Sequence, residues 1–91
     1  METVVKKTNR ILKQAFPRPD KVLLEDDKGI IGRVVSDRFK GLDSMERLKM
    51  IWDVLDRHLT AEERRRIVII LAITPTEELA HSASAAPYLN H

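Results

Sequence analysis

The chain contains no cysteine. That absence excludes disulfides, cysteine-ligated zinc, a thiol nucleophile and thiolate ligation of an iron–sulfur cluster by this chain. Aromatic residues are scarce, with one Trp, one Tyr and two Phe in 91 residues, so an exposed platform for stacking unpaired bases is lacking. No glycine-rich phosphate loop runs into a helix, and no nucleophile motif is present. Carboxylates at Asp26, Asp27 and Asp37 could supply acid and base, but no spacing fixes a pair, so no catalytic residues are assigned and an enzyme is not expected. No apolar run reaches bilayer-spanning length, and the N-terminal segment has lysines without the apolar stretch of a signal peptide. The expectation is one small cytoplasmic domain over residues 1–80 with a single core, no membrane association, no metal and no cofactor.

Charge is nearly balanced, at 16 Lys and Arg against 14 Asp and Glu, but it is unevenly placed. Residues 1–21 hold six basic residues against two acids, whereas beyond Arg66 the only charges are Glu77 and Glu78. Basic character therefore lies in the first helix and in Arg64, Arg65 and Arg66. Such a distribution can attract phosphates, and it is equally the look of a solvated helix face.

Along the chain, Val4, Val5, Thr8, Ile11, Leu12, Ala15 and Phe16 form a helical stripe over Thr3 to Phe16, which Pro17 and Pro19 stop. Lys21 to Glu25 and Ile30 to Ser36 read as a hairpin joined through Asp26-Asp27-Lys28-Gly29. Gly29-Ile30-Ile31-Gly32 spells the two-glycine loop of KH domains, but here it lies at the mouth of a strand, where Gly32 marks a bulge or a close backbone approach. A long helix from Asp43 to about Leu59 places Met45, Leu48, Ile51, Trp52, Leu55 and Leu59 on one face. Met45, Leu48, Trp52 and Leu55 are its expected core residues, and His58 near its end suits the helix dipole. Thr60 with Glu63 opens a short helix running into the three arginines. Ile67 to Ile73, apolar without alternation, reads as a strand covered on both faces, the second cover being the C-terminal segment or a second copy in a homodimer. Thr74-Pro75-Thr76-Glu77 starts a last short helix through about Ala80. Residues 81–91 are expected to form a flexible tail from which Tyr88 and Leu89 can dock.

The stretch from Val34 to Trp52 carries strand, turn and longest helix, and the chain is organised around it. Val34 and Val35 end the strand at Ser36, Gly41 permits a sharp turn, and Asp43 with Glu46 forms a capping box. Val35, Ser36, Phe39, Gly41 and Arg47 meet the pattern V-S-x-x-F-x-G, five further residues, then Arg; in this the chain resembles the BolA-like family. The element order αββααβα was read separately, and it predicts an α+β two-layer domain. In it, a three-stranded mixed sheet carries its third strand parallel to the second, with helices across one face. The resemblance implies the same fold, related to type II KH domains, over roughly residues 6 to 80, and Thr74-Pro75 with an acidic residue continues it.

The resemblance also implies an adaptor or regulator that pairs with a monothiol glutaredoxin, often around a shared [2Fe–2S] cluster. The sequence departs from that pattern at the ligands. Arg66 stands in place of the family histidine at the start of the third strand, Asp26-Asp27-Lys28 offers no counterpart to the His or Cys of the hairpin loop, and Leu48 replaces a further histidine. Glu78 stands near the place of a family tryptophan. The expectation is a partner-binding protein that supplies no cluster ligand, with His81 and His91 as the remaining imidazoles that could ligate. The alternative is a nucleic-acid binder gripping phosphates through Arg38, Lys40, Arg47, Arg64, Arg65 and Arg66; for Arg47 an ion pair with Asp37 or Asp43 is the competing role.

Overall fold

Three capping boxes punctuate the chain, and each starts a helix where the spacing places it. A computed structural model describes residues 2–80; the expected tail, with His81, Tyr88, Leu89 and His91, lies outside them. Helix α1 (Val4–Ala15) begins at Thr3, whose side chain accepts the Lys6 amide, and its stripe buries Thr8, Ile11 and Leu12. The Thr8 hydroxyl is satisfied within the helix by donating to the Val4 carbonyl at 2.8 Å. Strands β1 (Lys21–Asp26) and β2 (Ile30–Val35) pair antiparallel. A 3-10 turn (Asp37–Phe39) then leads to α2 (Ser44–His58), α3 (Ala61–Arg65), β3 (Ile67–Ile73) and helix α4 (residues 75–80). β3 joins β2 in parallel, giving the sheet order β1-β2-β3. The mixed three-stranded sheet is thus the expected one, with β2 at its centre.

Side-chain alternation sets two faces. Val22, Val34 and Ile70 point to the helices and pack with Leu12, Phe16, Ile51 and Leu55 in one core. Gly32 is opposite Leu24, and a Cβ there would fall on the Leu23 carbonyl oxygen and within 2.6 Å of the Leu24 side chain. Close backbone approach, one of the two expected reasons for this glycine, is therefore its role. The irregularity in the sheet lies elsewhere, in β3, where the register against β2 shifts between Ile30 and Ile31 so that Val68 is left over. Gly41, at φ 81°, has open space around its α-carbon and is needed for its left-handed backbone alone.

One expectation about burial is corrected. Met45 is 76% exposed and Leu48 38%, whereas Ile51 and Leu55 are fully buried and Trp52 is half-buried, packed against the core. At 3.6 residues per turn Met45 falls about 100° from the Ile51–Leu55 ridge, so the apolar stripe of α2 is wider than the arc the sheet and α1 can cover. In β3, the second face is uncovered among the described residues, and the expected cover, the C-terminal segment or a second copy, lies outside them. β3 is an edge strand, and Val68, Ile69 and Leu71 are 65%, 51% and 50% exposed.

Truncating Ile51 or Leu55 to Ala should therefore destabilise the fold by about 2–5 kcal/mol, the usual range for a buried aliphatic. Met45→Ala should change the urea midpoint little. A midpoint loss for Met45→Ala equal to that for Ile51→Ala would place the wrong ridge of α2 in the core.

Candidate functional site

The family-like motif turns out to build a joint rather than a reactive centre. Ser36 is fully buried; its hydroxyl donates to Asp20 Oδ2 at 2.9 Å and accepts the Arg38 amide at 3.1 Å. Phe39 is fully buried and lies against Phe16, ring centroids 5.5 Å apart. Asp43 and Glu46 then start α2 through a complete capping box. Arg47 comes next, one turn into the helix, with its side chain only 15% exposed. Its Nε donates to the Leu42 carbonyl at 2.9 Å, one Nη donates to the Ala72 carbonyl at 3.2 Å, and the two Nη atoms hold Glu77 at 2.6 and 3.2 Å. The ion pair expected with Asp37 or Asp43 is thus made with Glu77, thirty positions along the chain. Arg47 is a clip that ties the turn, α2, the edge of β3 and the start of α4 together.

The remaining sequence-selected cations divide between the two ends of the sheet. Arg38 donates to the Ala15 carbonyl at 2.6 Å and lies over the Phe16 ring at 4.3 Å, closing the end of α1. Lys40, on the same turn, has no ion pair among the described residues. Arg64 pairs with Asp56 at 2.9 Å and Arg66 with Asp26 at 3.5 Å; Arg65 has no ion pair among the described residues. The strand rise over β3 separates the Arg38–Lys40 turn from the triple arginine by roughly 20 Å. The structure therefore brings Arg64, Arg65 and Arg66 together but keeps them apart from Arg38, Lys40 and Arg47.

At the triple-arginine end, Asp26, Lys28, Gly29, Arg65, Arg66 and Val68 line an open depression of about 460 Å³. The hairpin places it there, because Asp26 Oδ1 accepts the Gly29 amide at 3.3 Å and the Ile30 amide reaches the Arg66 carbonyl at 2.8 Å. Lys28, Arg65 and the Val68 methyl pair face solvent around the Arg66–Asp26 ion pair. The histidine among the described residues, His58, is exposed in the last turn of α2, and no group of three metal-binding side chains occurs among those residues. No described helix is long and apolar enough to cross a membrane.

The acids beyond β3 matter more than their sequence context shows. The Arg47 guanidinium, with the Thr74 amide, holds the Glu77 carboxyl at about 2. Glu78 is held below the usual range by Arg33 and then Lys21, at 3.1 and 3.4 Å. Both contacts anchor α4. The capping box at Thr74 and Glu77, where the amides and side chains exchange bonds at 2.8 and 3.1 Å, was legible; the long-range partners of the two acids carried no local signal.

No protein-family model and no curated protein matches the chain in sequence. Among solved structures it is similar to BolA1 from Arabidopsis thaliana, with a TM-score of 0.65 over 85% of this chain and 98% of that one, at 17% identity. The fold is BolA-like. In the BolA-like frame the recognisable residues Ser36, Phe39, Gly41 and Arg47 hold the strand–turn–helix joint, while the charged depression opens at the opposite end of the sheet.

The depressed Glu77 carboxyl gives the clip a pH dependence. Between the ordinary value of 4.5 and about 2 the unfolded chain binds more protons at this group, so its contribution is full above that window and is lost as pH falls through it. Urea midpoints of the parent and of Glu77→Gln should differ at pH 6 and converge toward pH 2. A gap that stays constant with pH would detach Glu77 from the clip.

Proposed function

We propose that the chain is a non-enzymatic BolA-like adaptor that binds a protein partner, a monothiol glutaredoxin, through the depression at the hairpin end, and that it adds no ligand to a shared iron–sulfur cluster. The observation that carries this reading is the Arg66–Asp26 pair. It stands where the resemblance puts one cluster ligand on the third strand and another in the hairpin loop. A guanidinium has no lone pair to give to iron, and the carboxylate is a hard ligand already engaged by Arg66. The side chains present do not fit a cluster. They do fit a polar protein surface, since Lys28 and Arg65 project beside Val68 into open solvent.

The candidate carboxylates do not all converge on one place. Asp26 and Asp27 lie on the hairpin, and Asp37 opens the turn at the far end of β2, roughly 20 Å away by strand rise. Acid and base cannot act on one substrate atom across that distance. The nucleic-acid alternative is less well supported, because Arg38, Arg47, Arg64 and Arg66 are engaged within the chain and the two remaining cations of the set, Lys40 and Arg65, lie at opposite ends of the sheet.

Mixing with a monothiol glutaredoxin should give a heterodimer by sedimentation, weakened about tenfold by the joint Lys28→Ala and Arg65→Ala substitution, equivalent to about 1.4 kcal/mol. Anaerobic reconstitution with iron and sulfide should produce no visible bands beyond those of the glutaredoxin alone. Cluster bands that require this chain and vanish on His81→Ala would overturn the ligand-free reading.

A further inference from the structure

The two edges of the sheet are built differently. β1 carries the exposed charges Lys21, Glu25 and Asp26, which discourage another strand from pairing there. β3 has no charged residue from Ile67 to Ile73. Two contacts show how its backbone is turned: the Ile73 carbonyl accepts the Ser36 amide at 3.0 Å on the β2 side, and the Ala72 carbonyl accepts Arg47 from the opposite side. Peptide groups alternate in direction along a strand, so the N–H and C=O of Ile70 face the same outer edge as those of Ala72. Apart from Arg47, no described residue bonds to these two backbones from that side. Beside the edge lies an apolar groove of about 360 Å³ between Ser44 and Leu48 of α2 and Ile70 and Ala72 of β3. Ile70 buries its side chain in the core, and the residue forms part of the groove's floor.

We infer that this edge takes up an extended segment of another protein as a fourth strand, with apolar side chains in the groove and an acidic residue at each end. Backbone pairing supplies the affinity in such strand additions, and the groove selects the side chains. The charge pattern selects the occupant. Within the groove Arg47 and Glu77 are paired with each other. Lys40 and Arg65 are exposed, have no ion pair among the described residues, and stand at opposite ends of the sheet, roughly 20 Å apart by strand rise. Acids about six residues apart in an extended segment span roughly the same distance. A second copy of this chain matches poorly. Paired antiparallel about a two-fold axis, its own β3 would bring the three preceding arginines to the Lys40 and Arg47 end. The acids that follow its β3 are already engaged by Arg47, Arg33 and Lys21. The inference concerns the edge and does not rest on the glutaredoxin reading, which places that partner in the depression at the hairpin end.

The test titrates the labelled full chain with the synthetic peptide acetyl-Glu-Val-Thr-Ile-Thr-Val-Glu-amide, followed by NMR. The Ile70 and Ala72 amides should shift to saturation and show nuclear Overhauser contacts to the peptide backbone. The Val and Ile side chains share one face and must enter the groove, so only one alternate set of peptide amides can meet β3. Methylating that set should abolish binding, and methylating the other should leave it unchanged. Replacing both peptide glutamates by lysine, or the joint Lys40→Glu and Arg65→Glu substitution on the protein surface, should weaken binding about tenfold. No response of Ile70 and Ala72 to millimolar peptide would overturn the inference, as would equal tolerance of both methylation patterns. Contacts from elsewhere in the chain to these two amides in the dilute protein alone would overturn it by showing that the chain covers its own edge. Contacts that grow with protein concentration in the absence of peptide would overturn it too, and would assign the edge to a second copy.

Discussion

Everything beyond the hairpin depends on Arg47. Its five donors are arranged in a plane, and the fold uses that plane at the one place where four elements meet: the Leu42 carbonyl after the turn, the Ala72 carbonyl on the outer edge of β3, and the Glu77 carboxylate at the head of α4. A lysine could satisfy one of these acceptors at a time. Because the guanidinium itself is largely screened from water, removing it would leave the Leu42 and Ala72 carbonyls without this donor and the Glu77 carboxylate with its Thr74 capping bond alone, which costs more than the loss of a surface pair. The clip also occupies part of the free edge of β3, an edge that would otherwise offer its backbone for pairing.

The other ion pairs divide by location. Lys7 reaches Glu63 at 3.0 Å and ties α1 to α3, while Arg64–Asp56 and Arg10–Glu2 lie on the surface, about half exposed. Pairs of the latter kind contribute little to stability. Across the described residues, eight of the 16 Lys and Arg are held in ion pairs, so half of the basic character that the composition displays is matched within the chain. Counting charges along the chain does not show which of the cations are paired.

What was legible in the sequence was local chemistry. Asp43 with Glu46, Thr60 with Glu63 and Thr74 with Glu77 mark helix starts because a cap and its reciprocal acid lie within one turn of each other. Gly41 marks the turn because its backbone angle is one that side-chain-bearing residues rarely adopt. The strands were legible from β-branching, and the right-handed crossover then left one arrangement of the sheet. What was not legible depends on neighbours distant in the chain. Nothing in α2 tells that Ile51 and Leu55 point inward while Met45 does not, since that follows from how much of the helix the sheet can cover. Nothing near Arg47 points to Glu77, and an apolar β3 reads the same at an edge as at the centre. The charged depression was half legible: the arginines were visible, but their meeting with the hairpin loop required the parallel pairing of β2 and β3.

That parallel pairing also shapes how the chain reaches its fold. β1 meets β2 across a short loop, and α2 can begin from its own capping box, so these contacts close little chain and form on the fast timescales of hairpins and helices. Ile30 meets Ile67 only after the turn, α2 and α3 have been laid out between them, and loop-closure entropy must be overcome before any β3 contact is gained. Until then the most apolar segment of the chain has no partner. The interval before β3 docks is therefore the period in which self-association competes with folding, and the arginines immediately preceding this strand place like charges beside it, repelling other copies while β2 is still unpaired on that side.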